Sequence, residues 1–419
     1  MNLHRDVWRG GLLALCIAVS PVTAAPGHAP LPHPGSPLFD ARAWLQHEVL
    51  AAGYPGARLL VVQDGAAVVD ETVGYADLAR TQPLAPDAIY RIYSMTKPVV
   101  SAAALRLVGE GHATLDDPLA LHLPQFAGQQ VLEAGGQPRM PVRAVTIRHL
   151  LTHTAGFPVA GDGEAMRLRE SAGPEQATSL AEYVDRLRGV PLARDPGSRF
   201  TYDSMATEVL GRLVEVWSGQ SLEDYLGDAF FAPLAMVDTG FEVPVAQRHR
   251  IVELGVMGDS GALVPADEAH VRDPGTRIRA YTGAAGGLYS TASDYLAFAR
   301  MLLARGEAGG RTFVQADLVD GMFRDQLAAM ALERPFVDDS PGRGFGLGLS
   351  VLVDPAALGR AGRAGQAGWS GAASTYFVID PATRTVALLM LQHLPNGRAD
   401  DLPRVATAFY NHVQQAVAP

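Results

Sequence analysis

Ser94-Met95-Thr96-Lys97-Pro98-Val99 carries the one lysine of a 419-residue chain whose other basic positions are arginine, 34 Lys and Arg residues in all. Arginine stays charged at any ordinary pH, whereas an ammonium withdrawn from water can give up its proton. A chain that keeps lysine at a single position is read as needing a titratable group there. If Ser94 opens a helix, its hydroxyl lies beside free backbone N–H groups and the positive end of the dipole. Lys97, three residues on, then projects from the same face within reach of the serine oxygen. Pro98 is tolerated because it falls in the first turn. Such a pair can generate an alkoxide without histidine when the lysine is desolvated or shares its proton with another group.

Outward from this stretch, the apolar periodicity predicts a helix over 39–52 and a second from Ser94 to Gly109 or Gly111. Strands are predicted over 57–62 and 67–73, joined by the hairpin signal Asp64-Gly65. Helical patterns at 146–152, 179–188, 205–217 and 222–229 fill the middle, and a capped helix is predicted over 292–304. Strands at 345–353, 374–379 and 385–391 and a helix at 402–413 close the chain. Strands at both ends and a helix-rich middle predict an α+β fold: an antiparallel β-sheet flanked by helices, built from both chain ends, with an inserted mainly helical domain. The expected division is 39–117 with 276–419 for the sheet domain and 118–275 for the insert. The crevice between the two is the expected site.

Composition narrows the function classes. A net charge of −10 and a pI near 5.6 argue against nucleic acid and anionic membrane surfaces as partners. Arg5 and Arg9, an apolar run from Gly11 to Val19, and Val22-Thr23-Ala24 read as a signal peptide over 1–24, cleaved after Ala24 or Ala25. A Pro-rich leader follows at 25–38. The protein is therefore expected to be exported, with no membrane span, because no segment reaches the ~20 apolar residues a span requires. Cys16 is the only cysteine and lies in the signal segment; Leu15 before it is too large for the usual lipid-attachment motif. The exported chain would hold no disulfide, cysteine nucleophile or Cys-bound metal.

Two further stretches bear on chemistry. Tyr202-Asp203-Ser204 stands ahead of an amphipathic helix with Ser204 as its expected cap, and Tyr202 reads either as a third catalytic group or as an ordinary rim aromatic. Gly368-Trp369-Ser370-Gly371-Ala372 lies beside a late strand, where glycine permits close approach of a ligand; a buried Trp with a bulge reads as well. Ser-x-x-Lys, then Tyr-x-Ser, then Trp-x-Gly, in this order, resembles the serine β-lactamase-like hydrolases. The pattern is most similar to the family VIII carboxylesterases, relatives of class C β-lactamases. Leu150-Leu151-Thr152-His153-Thr154-Ala155-Gly156-Phe157, the run from Gly287 to Tyr295, and Gly344-Phe345-Gly346-Leu347-Gly348 agree with it, so the resemblance spans about 40–395.

The resemblance implies a β-lactamase/transpeptidase-like fold and a Ser94 acyl-enzyme, with Lys97 and Tyr202 sharing the general-base role. It further implies an oxyanion hole from the backbone N–H groups of Ser94 and Ala372, and a substrate site that includes Ser204, Trp369, Ser370 and Gly371. No metal or organic cofactor is implied, and the partner is a small-molecule ester, amide or β-lactam. Two departures favour neutral esters. Penicillin-recognising relatives place Lys-Thr-Gly on the late strand, whereas this chain has spent its lysine at 97. Ser204 also replaces the asparagine of the Tyr motif. A β-lactamase, a D-amino-acid peptidase or transacylase, and a slowly acylated penicillin sensor stay open as alternatives. Gly258-Asp259-Ser260-Gly261 imitates a protease nucleophile segment without the disulfides and histidine that would support it. His149 and His153 share a helical spacing but lack a third metal ligand, and are expected to satisfy local backbone groups.

Overall fold

In the computed structural model residues 40–133, 135–330, 332, 337 and 340–417 are described. The signal segment with Cys16 and the Pro-rich leader lie outside these residues. Seven strands form one antiparallel sheet: β1 (Gly56–Gln63), β2 (Ala66–Gly74), β3 (Arg343–Phe345), β4 (Ser350–Leu352), β5 (Ala367–Gly371), β6 (Thr375–Asp380) and β7 (Thr385–Met390). Their order is β3-β4-β5-β6-β7-β1-β2, so β7 from the chain's end pairs with β1 from its beginning, Arg58 opposite Met390 and Gln63 opposite Thr385. The sheet is thus assembled from both ends, as the strand pattern predicted. Asp64 and Gly65 take φ of +50° and +83°, the left-handed pair that a two-residue hairpin turn requires.

The two sheet faces bury different partners. Helix α1 (Ala41–Trp44), continued by a wider turn to Leu50, and α5 (Ala406–Ala416) cover the face of Leu59, Val61, Tyr376, Val378 and Leu389. The other face, with Leu60, Val62, Phe377 and Ile379, shares its core with α2 (Thr96–Gly109) and α4 (Ala292–Leu303), and α3 (Met205–Ser218) packs on α2. Helix α2 is buried on nearly every side, which explains its small and apolar sequence from Val99 to Leu105. From 119 to 250 the chain is mainly short helices and loops.

Three elements depart from the sequence expectation. The stretch 345–353 is a hairpin rather than one strand: Gly346 to Leu349 form its turn, and Gly348 has φ of +93° with Ser101 packed where a Cβ would stand. The last helix begins at Ala406, four residues later than predicted: Pro403 keeps Leu402 out of the helical region, and the Pro403 carbonyl accepts from the Tyr54 hydroxyl at 2.9 Å. Asp203 rather than Ser204 caps α3, its carboxylate accepting from the Ala206 N–H at 2.6 Å. The protease-like Gly258-Asp259-Ser260-Gly261 is the exposed turn of a small hairpin between Gly255–Met257 and Leu263–Pro265.

Candidate active site

Ser94 is the middle residue of a tight turn, Tyr93–Met95, that feeds directly into α2. Tyr93 holds φ of +41°, a conformation that a bulky residue adopts only when its surroundings impose it. They do. The Ile92 N–H donates to the Leu288 carbonyl, the Leu288 N–H to the Thr96 hydroxyl, and the Tyr295 hydroxyl to the Met95 carbonyl at 2.8 Å. The run from Gly287 to Tyr295 is therefore a clamp on the Tyr93–Met95 turn, which accounts for its place among the sequence motifs.

One helical turn later Lys97 lies buried, 2% exposed. Its Nζ donates to Ser94 Oγ at 3.2 Å and to the Ala285 carbonyl at 2.7 Å. It also sits 4.9 Å from the centre of the Tyr202 ring, a cation–π contact. Ser94, Lys97 and Tyr202 therefore converge, although Tyr202 is 108 residues from Ser94 in sequence. The Tyr202 hydroxyl is buried and has no hydrogen-bond partner among the described residues. A buried hydroxyl without a partner costs about 1–3 kcal/mol, which makes this an atom waiting for a ligand or a proton.

Strand β5 brings Trp-x-Gly to the same place. Trp369 packs 5.1 Å from Tyr202, and Gly371, on the same strand face, runs against the Tyr93–Met95 turn. A Cβ on Gly371 would lie 2.3 Å from the Ile92 carbonyl oxygen, so glycine alone lets the strand approach. Ala372, next in the chain, is exposed at the end of β5 beside that turn. Ser370 behaves otherwise. It pairs with Tyr376 on the α5 face of the sheet, and strand alternation turns its side chain away from Trp369 and Gly371. Ser204 is exposed at the start of α3, and no hydrogen bond links its side chain to Ser94, Lys97 or Trp369.

The sequence reading missed an aromatic wall. His153, Phe200 and Phe345 stack beside Tyr202 and Trp369, with ring centres 4.9 Å apart for His153–Tyr202 and 5.3 Å for both His153–Phe345 and Phe345–Trp369. His149 does satisfy local backbone, accepting from the Thr146 N–H at 3.1 Å. Burial first, then the Arg143 charge, push its imidazole down to about 4. His153 does not follow it: its ring joins the wall, with Nδ1 3.6 Å from the Asp203 carboxylate, while its carbonyl accepts from the Thr201 N–H. The Leu150–Phe157 motif thus fixes the approach to Tyr202. The Ala285 carbonyl, the second acceptor for Lys97, was also missed, since a backbone atom 188 residues away leaves no trace in a motif. No group of three or more His, Cys, Asp or Glu residues that could hold a metal occurs among the described residues.

Known proteins resemble this chain in sequence and in fold. The family model described as Beta-lactamase matches residues 41–410. Protein Rv1367c of Mycobacterium tuberculosis is 34% identical over 86% of this chain and 91% of its own length. Esterase EstB of Burkholderia gladioli is 32% identical over 83% of this chain and 88% of its own. Among solved structures, EstCE1, described as a hydrolase with promiscuous acyltransferase activity, superposes with a TM-score of 0.73 at 22% identity, covering 90% of this chain and 97% of its own. Unliganded, selenomethionyl simvastatin synthase (LovD) from Aspergillus terreus does so with a TM-score of 0.71 at 23% identity and the same coverage. The matched length, the sheet built from both ends and the Ser–Lys pair in its clamped turn make one case: the chain belongs to the Beta-lactamase family and is a serine hydrolase of the β-lactamase fold.

Proposed function

We propose that the protein cleaves carboxylic esters of small molecules through an acyl-enzyme on Ser94. The observation that carries this reading is the contact of Lys97 Nζ with Ser94 Oγ at 3.2 Å beneath the ring of Tyr202. Ser94 Oγ attacks the ester carbonyl carbon, and its proton passes to the Lys97–Tyr202 pair. The carbonyl oxygen takes up negative charge against the N–H groups of Ser94 and Ala372. Collapse of the tetrahedral adduct breaks the bond to the alcohol oxygen, which receives the proton through the Tyr202 hydroxyl. Water then attacks the acyl-enzyme by the same route in reverse and releases the acid.

Preference for neutral esters is supported by what lines the site. Trp369 stands where penicillin-recognising relatives carry a lysine, and His153, Phe345 and Phe200 extend an aromatic surface behind it. The esterase relative at 32% identity supports the same choice. A substrate carboxylate would meet no cation from that strand, which weakens the β-lactamase alternative. We also propose export to the periplasm or beyond, on the strength of the 1–24 segment. Mass of the mature N-terminus after expression in a Gram-negative host tests that.

Initial rates on p-nitrophenyl butyrate and on a chromogenic cephalosporin separate the enzymatic readings. The ester should be turned over at least about a hundredfold more efficiently in kcat/KM. The opposite preference would mean a β-lactamase, and a single burst of product without turnover would mean a slowly acylated sensor.

A further inference from the structure

Lys97 does not hold its geometry alone. Its second acceptor, the Ala285 carbonyl, belongs to the loop Gly283-Ala284-Ala285-Gly286-Gly287, and that loop is tied to the core by one carboxylate. Glu208, on α3 and six residues beyond Tyr202, accepts from the Ala284 N–H at 2.8 Å and from the Ala285 N–H at 3.2 Å. These two amides are its only hydrogen-bond partners among the described residues. Gly211, one turn further along α3, lies so close to the loop that a Cβ there would meet the Ala284 Cβ at 2.5 Å. Helix and loop are therefore locked together over one helical turn. A continuous chain of contacts runs from Glu208 through the 284–285 peptides to Lys97 Nζ and Ser94 Oγ.

A buried carboxylate with no cation in contact is a poor way to stabilise a core. Charged groups are costly to bury unless paired, and an apolar or amide side chain would pack there at less expense. The groups that face Glu208 are Lys97 from α2, Arg279 and Tyr281 from the loop ahead of Gly283, and Tyr183 from the helix Leu180–Arg186. Burial pushes its carboxyl up to about 7, opposed first by the Ala285 N–H and then by the Lys97 charge. It therefore sits close to the point where its charge can be gained or lost at neutral pH.

We propose that Glu208 is a positioning residue for hydrolysis: its carboxylate fixes the 284–285 peptides so that the Ala285 carbonyl holds Lys97 Nζ against Ser94 Oγ. This rests on the reading of Ser94 and Lys97 as the reacting pair. With the carboxylate ionised, both amides are gripped and the carbonyl is aimed at the ammonium. When it is protonated, one grip weakens, the loop relaxes, and Lys97 loses its alignment with the nucleophile.

Glu208→Gln keeps the shape and one acceptor but removes the charge and turns a donor towards an N–H group. On p-nitrophenyl butyrate its kcat should fall about ten- to a hundredfold, the range for misplacing a reacting group by about an ångström. KM should stay within about twofold, because no substrate contact is lost. The unmodified protein should lose kcat as pH drops through about 7, and that fall should be absent from the variant. Glu208→Asp, which keeps the charge on a shorter arm, should recover part of kcat and restore that limb. A residue that merely holds the core would shift the melting temperature and leave the pH profile alone.

Ser94→Ala is run beside these variants. If it stays as active as the unmodified protein, the nucleophile reading falls, and this inference with it. If Ser94→Ala is inactive while Glu208→Gln keeps kcat, KM and the limb near pH 7, the inference alone is overturned. Should Glu208→Gln fail to fold, the Asp variant decides: reduced kcat at unchanged KM supports the proposal, and unchanged kcat overturns it.

Discussion

Two buried basic side chains in this protein meet carboxylates in opposite ways. His393, fully buried three residues beyond β7, has the Asp401 carboxylate 2.8 Å from its Nε2, and Asp401 also accepts from the Asn396 and Leu402 N–H groups. That pair is direct, local in sequence and surrounded by Tyr54 and the end of the chain. Lys97 and Glu208 are both buried too, yet they never touch; the 284–285 peptides stand between them. The direct pair fixes a segment, with Asp401 also holding the Asn396 and Leu402 amides. An indirect one leaves the ammonium free to reach Ser94 Oγ. Structure and catalysis are thus served by the same two residue classes, separated by whether the contact is made or mediated.

The difference can be attacked at its strongest point first. Lys97→Arg keeps a positive charge but replaces a compact ammonium that can exchange protons by a guanidinium that cannot. Ester kcat/KM should drop by at least about a thousandfold, the contribution expected of a general base, with circular dichroism unchanged. On the other side, Asp401→Ala should cost about 1–3 kcal/mol in urea unfolding by leaving the buried His393 ring unsatisfied. Its kcat should be that of the unmodified protein, since no part of the segment 394–404 contributes a group to the site. Tyr202→Phe lies between the two. It removes a hydroxyl that has no partner in the resting protein, so stability should hold or rise slightly. Turnover should fall about a hundredfold, the lower end for loss of an acid–base group.

The smallest effect is in pH, where the two carboxylate arrangements pull stability in opposite directions. Burial, the larger influence, lowers His393 against the raising effect of Asp401, so between the folded and unfolded values the unfolded chain binds more protons. Stability from this site is complete above about pH 6.5 and is lost as the pH falls below it. Glu208 is raised to about 7, so the folded chain binds more protons than the unfolded one between about 4.5 and 7. Its stabilising share is complete below about 4.5 and is lost as the pH rises through 7. Glu208→Gln should therefore melt at or above the unmodified protein at pH 8, by about one to three degrees, and His393→Gln should flatten the acid side. A clear loss of stability in Glu208→Gln at pH 8 would make Glu208 a structural residue like Asp401.

Much of the fold was legible because it is written in short-range signals. Asp64-Gly65 announced a hairpin, short apolar runs announced β1, β2, β6 and β7, and strands at both ends announced how the sheet closes. The stretch 345–353 misled because its apolar residues run on either side of Gly346-Leu347-Gly348, and the turn shows itself only where Gly348 meets Ser101. Within the site, Ser94 and Lys97 were legible because helix geometry places i and i+3 together. Tyr202 and Trp369 needed the order of motifs, since nothing local separates Tyr202 from the other tyrosines.

Glu208 stayed hidden for a physical reason. It falls on the inward arc of α3 between Thr207 and Val209, and Arg212 four residues on offers the spacing of an ordinary surface ion pair. The structure gives Arg212 to Glu215 instead, at 2.9 Å. Ser370 was misassigned for the converse reason: it adjoins two residues that do face the site, and in a strand adjacency means the opposite face.

The central claim is that Ser94, activated by Lys97, is the nucleophile. Treating the purified protein with diethyl p-nitrophenyl phosphate and mapping the adduct by peptide mass spectrometry tests it most directly. One diethylphosphoryl group should appear on the peptide that contains Ser94, esterase activity should vanish in step with labelling, and Lys97→Arg should slow both together. An adduct on any other serine, or full labelling with activity intact, would contradict it.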